Sequence, residues 1–319
     1  MGLSHEALLL TQMVSILSCQ DTVTETALYY KMFVVDYFEL EILSTFGIVK
    51  KWRNIMNKKM ALVTGASDGI GLEFCKILAG RGYDLILVAR REQKLQDVAR
   101  DLSEQYKVDC IVMTADLSEP EAAQKLFQTV KSKQLKVNFL VNNAGLLANG
   151  LFTELDLSTQ ENMLMVNVLA LTSLTHLFAT DMASRGGGHI LNVASLAAWT
   201  AIPNQNVYAA SKAYVLSFSQ ALADEMMAAG KGVVVTALCP GYTATKMLSN
   251  PDQGGLLKIP NAVISSPQSV AEKGINGCLA GKTTIIPGLS NQITAYVSQL
   301  FSKMMVTRLM GKMYRKNMT

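Results

Sequence analysis

Short, nearly unbroken apolar runs alternate with longer amphipathic stretches along most of this chain. Met60–Thr64, Asp84–Ala89, Cys110–Thr114, Asn138–Val141, His189–Ala194, Gly232–Leu238 and Lys282–Ile286 are the apolar runs. Each is too short for a core helix and has the length of a strand buried on both faces. Between them the pattern predicts helices over 72–82, 92–106, 119–132, 158–184, 208–229 and 267–280. Strand and helix in alternation predict the α/β class. The expected architecture is a doubly wound parallel sheet of about seven strands, joined by right-handed crossovers into one domain.

Two ends fall outside that alternation. Residues 1–55 form an N-terminal extension in which ALYYKMFVVDYFELEIL is apolar with scattered acids. Helix is the local expectation there, with no clean stripe. Met56-Asn-Lys-Lys-Met60 reads like a protein start directly ahead of a strand, so the extension is either an appendage or an over-long start. The catalytic unit is then expected over 56–290. Beyond it, 291–319 place Ile293, Tyr296, Val297, Leu300, Phe301, Met304 and Met305 at helical spacing with cations following. This predicts a basic amphipathic C-terminal helix. It packs on the domain or a neighbouring subunit, or it touches an anionic membrane surface.

Composition narrows the function. Half the residues are apolar and 17% are charged, enough for a large core. The net charge is +4, yet 291–319 alone carry five cations and no acid, so the remainder sums to −1. That balance argues against a nucleic-acid binder. Five Cys at 19, 75, 110, 239 and 278 form no CxxC pair, which suits reduced thiols in a reducing compartment. Three His at 5, 176 and 189 share no ligand spacing, so no metal site is expected. No run of 18 apolar residues supports a spanning helix, and the start lacks a basic signal region. The expected location is cytoplasmic, with peripheral membrane contact through 291–319 as the variant.

The chemistry-bearing residues cluster where strands end. Gly65-Ala-Ser-Asp-Gly69-Ile-Gly71 joins the first strand to a helix. Glycines let the backbone approach a pyrophosphate, and the N–H groups and dipole of the helix start face the anion. A tight turn with no ligand is the alternative. Ala89-Arg90-Arg91 ends the second strand, where an NAD site wants an acid and the 2′-phosphate of NADP wants a cation. Solvated arginines are the alternative, although helix starts disfavour cations. Asp116 and Leu117 follow the third strand and meet an adenine edge, or Asp116 caps the next helix. Asn142-Asn143-Ala144-Gly145 end the fourth strand at the ligand edge of such a sheet. Asn167 is a poor interior helix residue, there to cap an irregularity or hold a water.

Ser195 ends the fifth strand, and Tyr208-x-x-x-Lys212 follows thirteen residues later. On a helix that spacing puts phenol and ammonium on one face. The ammonium favours the phenolate, so the Tyr pKa should fall from ~10 toward the working pH. An amphipathic helix with a surface Lys is the bland alternative. Pro240-Gly241 end the sixth strand, and Thr243 and Thr245 open a segment to about Pro260 that reads as a mobile flap.

TGASDGIG at 64–71, NNAG at 142–145, Asn167, Ser195, Tyr208-x-x-x-Lys212 and Pro240-Gly241 together closely resemble the short-chain dehydrogenase/reductase family. The resemblance covers about residues 59–290, in the family's order; the two ends lie outside it. It implies a Rossmann-type sheet and an NADP(H)-dependent carbonyl reductase. Tyr208 would be the acid/base, Lys212 the ribose contact that tunes it, Ser195 the group that holds the carbonyl oxygen, and Asn167 the support for a proton-relay water. Gly65, Ser67, Asp68, Gly69, Ile70 and Gly71 would form the pyrophosphate turn, and Arg90 would mark NADP preference. Asp116 and Leu117 would touch adenine and Asn143, with Ala144 beside it, the adjoining ribose. Pro240, Gly241, Thr243 and Thr245 would meet the nicotinamide amide or the phosphates. The substrate is a small-molecule carbonyl compound. Leu146, Leu147, Trp199, Tyr242, Met247 and Leu248 suit an apolar pocket for a lipophilic ketone or 3-oxoacyl chain. The family resemblance also implies a homodimer or homotetramer. A non-catalytic dinucleotide-binding or scaffold protein is the alternative.

Overall fold

A computed structural model describes residues 59–249 and 263–317; the 1–55 extension lies outside them, as does most of the flap. Seven strands form one sheet: β1 (Met60–Thr64), β2 (Asp84–Ala89), β3 (Cys110–Thr114), β4 (Val137–Asn142), β5 (Gly188–Val193), β6 (Val233–Leu238) and β7 (Thr284–Ile285). Their order is β3-β2-β1-β4-β5-β6-β7, and every pair is parallel. The order reverses between β1 and β4, which opens a crevice at their carboxyl ends.

The helices are α1 (Gly69–Gly80), α2 (Glu92–Tyr106), α3 (Ala122–Ser132), α4 (Leu157–Ser184), α5 (Asn206–Ala229), α6 (Pro267–Leu279), α7 (Leu289–Ser298) and α8 (Lys303–Asn317), with a single turn at Lys246–Ser249. Side chains alternate across each strand, and both faces are covered. Ala61, Val63, Leu85 and Leu87 join Phe74 and Leu78 of α1, Leu95 of α2 and Ile275 of α6 in one core. Leu62, Ile86 and Val88 join Leu126 of α3 and Leu174, Phe178 and Met182 of α4 in the other. The apolar runs of the central strands therefore serve two cores at once.

Helix α4 is long and apolar enough, by length and composition, to cross a membrane, but half of its most apolar stretch is buried inside the protein. Its apolarity is that of a core helix packed on β4 and β5.

Element limits differ from the sequence expectation where local hydrogen bonds intervene. Helix α3 starts at Ala122, not 119, because Asp116 takes the chain into a turn: Ser118 N and Oγ both donate to Asp116 Oδ1, and Glu119 N donates to Asp116 O. Asp116 thus caps that turn and not the helix. The expected single C-terminal helix is two, α7 and α8, broken at 299–302. Most of the apolar stripe on them is exposed, although Tyr296 meets Trp199 of the domain.

Candidate active site

The crevice floor is built where β1 passes into α1. Gly65 turns there at φ +67°, a region that favours glycine. Asp68 caps α1 by accepting from Gly69 N at 2.9 Å. A Cβ added at Gly71 would stand 2.0 Å from Gly65 O, so only glycine lets α1 pack this close to the turn. The ends of β1 and β4 are stapled together. Thr64 Oγ1 accepts from the N–H groups of Asn143 and Ala144, both at 3.0 Å, and Asn143 Nδ2 donates to Thr64 O at 2.9 Å. Asn143, expected at a ribose, here braces the turn. Thr64 is a site residue that strand reading missed; its place just before the first glycine was the signal.

Cations ring the mouth of the turn. Arg91 Nη2 reaches Ser67 Oγ at 3.4 Å, while Arg90 leans to Asp116 at 3.8 Å. The arginine turned toward the glycine-rich segment is therefore Arg91, beside the expected Arg90. Asp68 receives Lys94 Nζ at 2.6 Å and Lys246 Nζ at 3.0 Å. Burial alone would push its carboxyl up, but these hydrogen bonds and the Gly69 N–H bring it down to about 2. Ile70 packs partly on the first core, and Leu117 is buried in the second. The residues present fit a dinucleotide carrying a 2′-phosphate: a glycine cradle that a Cβ would fill, a helix N-terminus, and two arginines at the end of β2.

The second group sits across the crevice, at the ends of β4 and β5. Within α4, Met165–Ala170 form a π turn, one residue wider than an α turn. It aims the fully buried Asn167 inward. Asn167 Oδ1 accepts from Leu146 N at 2.8 Å, and its Nδ2 donates to Leu146 O at 2.9 Å and Ser211 Oγ at 3.1 Å. Ser211 Oγ in turn donates to Tyr208 O at 2.7 Å. Lys212 is 4% exposed, and its Nζ donates to Val193 O at 2.8 Å; it is not a surface lysine. A Cβ on Gly145 would lie 3.3 Å from Asn167 Oδ1 and 3.4 Å from Lys212 Nζ, so the glycine of NNAG leaves room for both. Ser195 Oγ accepts from Ala197 N at 3.1 Å, which fixes it at the head of the 3-10 turn Leu196–Trp199.

The structure brings Asn167, Ser195, Tyr208 and Lys212 to one place, but the electrostatics differ from the sequence expectation. Burial pushes the Tyr208 phenol up; a hydrogen bond from Ser195 pulls the other way, and Tyr242 adds to the rise. Burial brings the Lys212 ammonium down to about 8. Its Nζ stands 5.8 Å from the Tyr208 ring centroid. Desolvation outweighs the pairing inferred from spacing, and the phenol is held in its protonated form.

The segment after β6 closes the far side. Gly241 lies so close to Asn291 of α7 that a Cβ there would come within 2.6 Å of its side chain. Thr243 Oγ1 donates to Gly241 O, and Thr243 pairs with Ser265 across the flap's base. Thr245 packs over Gly69, 3.0 Å from where a Cβ would stand. Leu146 packs on the second core, while Trp199 meets Tyr296 of α7 edge-on. Trp199 also lines a cavity of about 440 Å³ with Ala209, Ala213, Phe301 and Val306. Leu147, Tyr242, Met247 and Leu248 are half-buried. Among the described residues no three His, Cys, Asp or Glu side chains gather as a metal ion would need.

A family model described as short chain dehydrogenase matches residues 59–254. The very-long-chain 3-oxoacyl-CoA reductase of Anas platyrhynchos is 36% identical over 193 residues, 59% of this chain and 60% of that one. The inactive hydroxysteroid dehydrogenase-like protein 1 of Homo sapiens is 32% identical over 244 residues, 75% of this chain and 69% of that one. Among solved structures, a short-chain dehydrogenase from Sphingobium yanoikuyae in complex with NADPH matches with a TM-score of 0.68 at 28% identity, covering 76% of this chain and 92% of that one. The chain belongs to the short-chain dehydrogenase/reductase family, oxidoreductases that act on CH–OH and C=O groups.

Proposed function

We propose that this protein is an NADP(H)-dependent carbonyl reductase whose proton donor is Tyr208. The observation that carries the reading is the meeting of Ser195, Tyr208, Lys212 and Asn167 across the crevice from a glycine cradle ringed by Arg90 and Arg91. The NADPH-bound relative supports the cofactor assignment. NADPH, when bound, supplies a hydride to the carbonyl carbon. Tyr208 gives its phenolic proton to the carbonyl oxygen, and Ser195 donates a hydrogen bond to that same oxygen. A phenol held protonated by burial suits this direction, because reduction consumes the proton. Lys212 holds the ribose edge of the cofactor and, as its nearest cation, steadies the phenolate left behind. Asn167 keeps the backbone at Leu146 and the start of α5 in register with that work. Arg90 and Arg91 hold the 2′-phosphate.

The substrate we assign is an apolar ketone or 3-oxoacyl compound, which the likeness to a 3-oxoacyl-CoA reductase supports. Leu164 and Leu169 of α4 and Tyr214 of α5 are exposed, which supports a homodimer or homotetramer built on these helices. Cys75, Cys110, Cys239 and Cys278 are free thiols, in keeping with work in a reducing compartment such as the cytoplasm. The human relative named inactive favours a second reading, a non-catalytic dinucleotide-binding protein; the retained Ser195, Tyr208 and Lys212 weigh against it. The test is a panel of ketones and 3-oxoacyl thioesters assayed with NADPH and NADH side by side. The reading expects NADPH turnover that Tyr208→Phe abolishes while cofactor binding persists. Unchanged turnover in that variant overturns the role of Tyr208, and equal rates with both cofactors overturn that of the arginines.

A further inference from the structure

The two C-terminal helices carry a surface that the fold leaves open and that the proposed reaction does not use. Their inner side is anchored. Ala295 of α7 is fully buried, Gln299 Nε2 donates to Trp199 O at 2.8 Å, and Met310 of α8 packs on the cluster of Ala197, Ile202 and Ala209. With that side satisfied, the two helices and the link between them still present Leu289, Ile293, Leu300, Met304 and Leu309 to solvent. Leu300 is 79% exposed and Leu289 72%. Large apolar side chains exposed in this number on two successive helices, with Met304, Met305 and Leu309 lining one hollow, mark an interaction surface.

Charge decides between its possible occupants. Lys303, Arg308 and Lys312 stand among these residues, and 291–319 hold no acid. Arg308 and Lys312, one turn apart, border a shallow hollow of about 330 Å³ with Met304, Met305 and Leu309. A second copy of the chain laid on this patch would bring like charges together with no carboxylate between them. An anionic lipid surface meets both demands: acyl chains take the apolar residues, and headgroup phosphates take cations whose stems lie along the apolar face.

We propose that α7 and α8 dock the protein on an anionic bilayer through this face. The docking is peripheral, and α7 is the element that also contacts Trp199, just beyond Ser195. The bilayer therefore lies on the side of the catalytic crevice where β5 and β6 end.

The experiment is co-sedimentation of the full chain with vesicles of phosphatidylcholine alone or with phosphatidylserine added, at low and high salt. The expected result is at least tenfold stronger binding to the anionic vesicles, weakened by salt. Each cation near such a surface contributes roughly fivefold, so the triple variant Lys303→Gln/Arg308→Gln/Lys312→Gln should lose about a hundredfold. Leu300→Ser/Met304→Ser/Leu309→Ser should lose binding at every salt concentration, with the turnover of a water-soluble ketone unchanged. Equal binding to both vesicle types, or none, overturns the proposal. So does a change of oligomeric state by light scattering in either variant, which would make the face a contact between copies. If the apolar variant misfolds, the charge variant, altered only at surface side chains, still decides.

Discussion

Lys212 makes a prediction that separates its chemistry from its cost to the fold. The side chain is buried, and burial brings its pKa down from 10.5 to about 8. That fall corresponds to ~3 kcal/mol against the charged form in the folded state. Because the folded pKa lies below the unfolded one, the unfolded chain binds more protons between about pH 8 and 10.5. Stability carried by this group therefore rises with pH through that window, and the penalty is complete below pH 8. Lys212→Met removes the charge in a side chain of similar length. It also strips the donor from Val193 O, at ~1–3 kcal/mol for an unsatisfied buried carbonyl. At pH 7 the variant should be as stable as the parent or up to ~2 kcal/mol more stable, a rise of up to ~8 °C in Tm for a domain this size. As pH passes from 8 to 10.5 that difference should swing by ~3 kcal/mol against the variant. The neighbouring Cys239 thiol, pushed up to about 12 by burial, stays protonated throughout. Paired thermal melts of the cofactor-free proteins across this range are the assay, with NADPH turnover measured alongside and expected to vanish. A stability difference that does not change with pH refutes the reasoning.

Other expectations follow from the same geometry. Ser195→Ala and Tyr208→Phe should each lower kcat by ~10²–10⁴-fold, the range for a lost general acid or oxygen-binding donor, with little change in NADPH affinity by fluorescence titration. Arg91→Ala should weaken NADPH binding by ~10–100-fold and leave NADH unmoved. Arg90→Ala should do less, since Arg90 already leans to Asp116; calorimetry with both cofactors checks the ranking. Gly71→Ala should lower Tm steeply because its Cβ would meet Gly65 O. Gly80→Ala, whose Cβ would only touch Tyr106 at 3.5 Å, should raise stability by ~0.5–1 kcal/mol.

The central strands were legible because both their faces are buried. β1, β2 and β3 begin and end where the apolar runs do. The glycine turn, Ser195, Tyr208 and Lys212 were legible as residue types at fixed spacing. Contacts set by tertiary packing were not. Spacing alone implied a phenol tuned by its lysine, whereas burial governs both groups. The spacing marks Asn143 and Asp116 as ligand contacts but cannot show that Asn143 also braces Thr64 and Asp116 also bonds Ser118. The C-terminal apolar positions lie on two helices and the break between them, and periodicity cannot say which side of a helix is left uncovered. That depended on Ala295 and Met310 packing inward.

The widened turn in α4 has a consequence for how the chain tolerates change. Asn167 grips both the N–H and the C=O of Leu146, as a neighbouring strand would. One side-chain amide thus adds a rung beyond the end of β4 and holds straight a segment with no strand beside it. The extra residue that aims this amide also resets the phase of everything before it. Deleting one residue in 165–170 would let a regular helix run through with Gln160 and Met163 before the join and Leu174 and Phe178 beyond it still in their buried positions, but it would carry Asn167 off its aim. The helix is two independently phased halves joined at a hinge of fixed pitch. Substitutions at exposed positions leave that phase intact, whereas an insertion or deletion elsewhere in either half has no widened turn to absorb it.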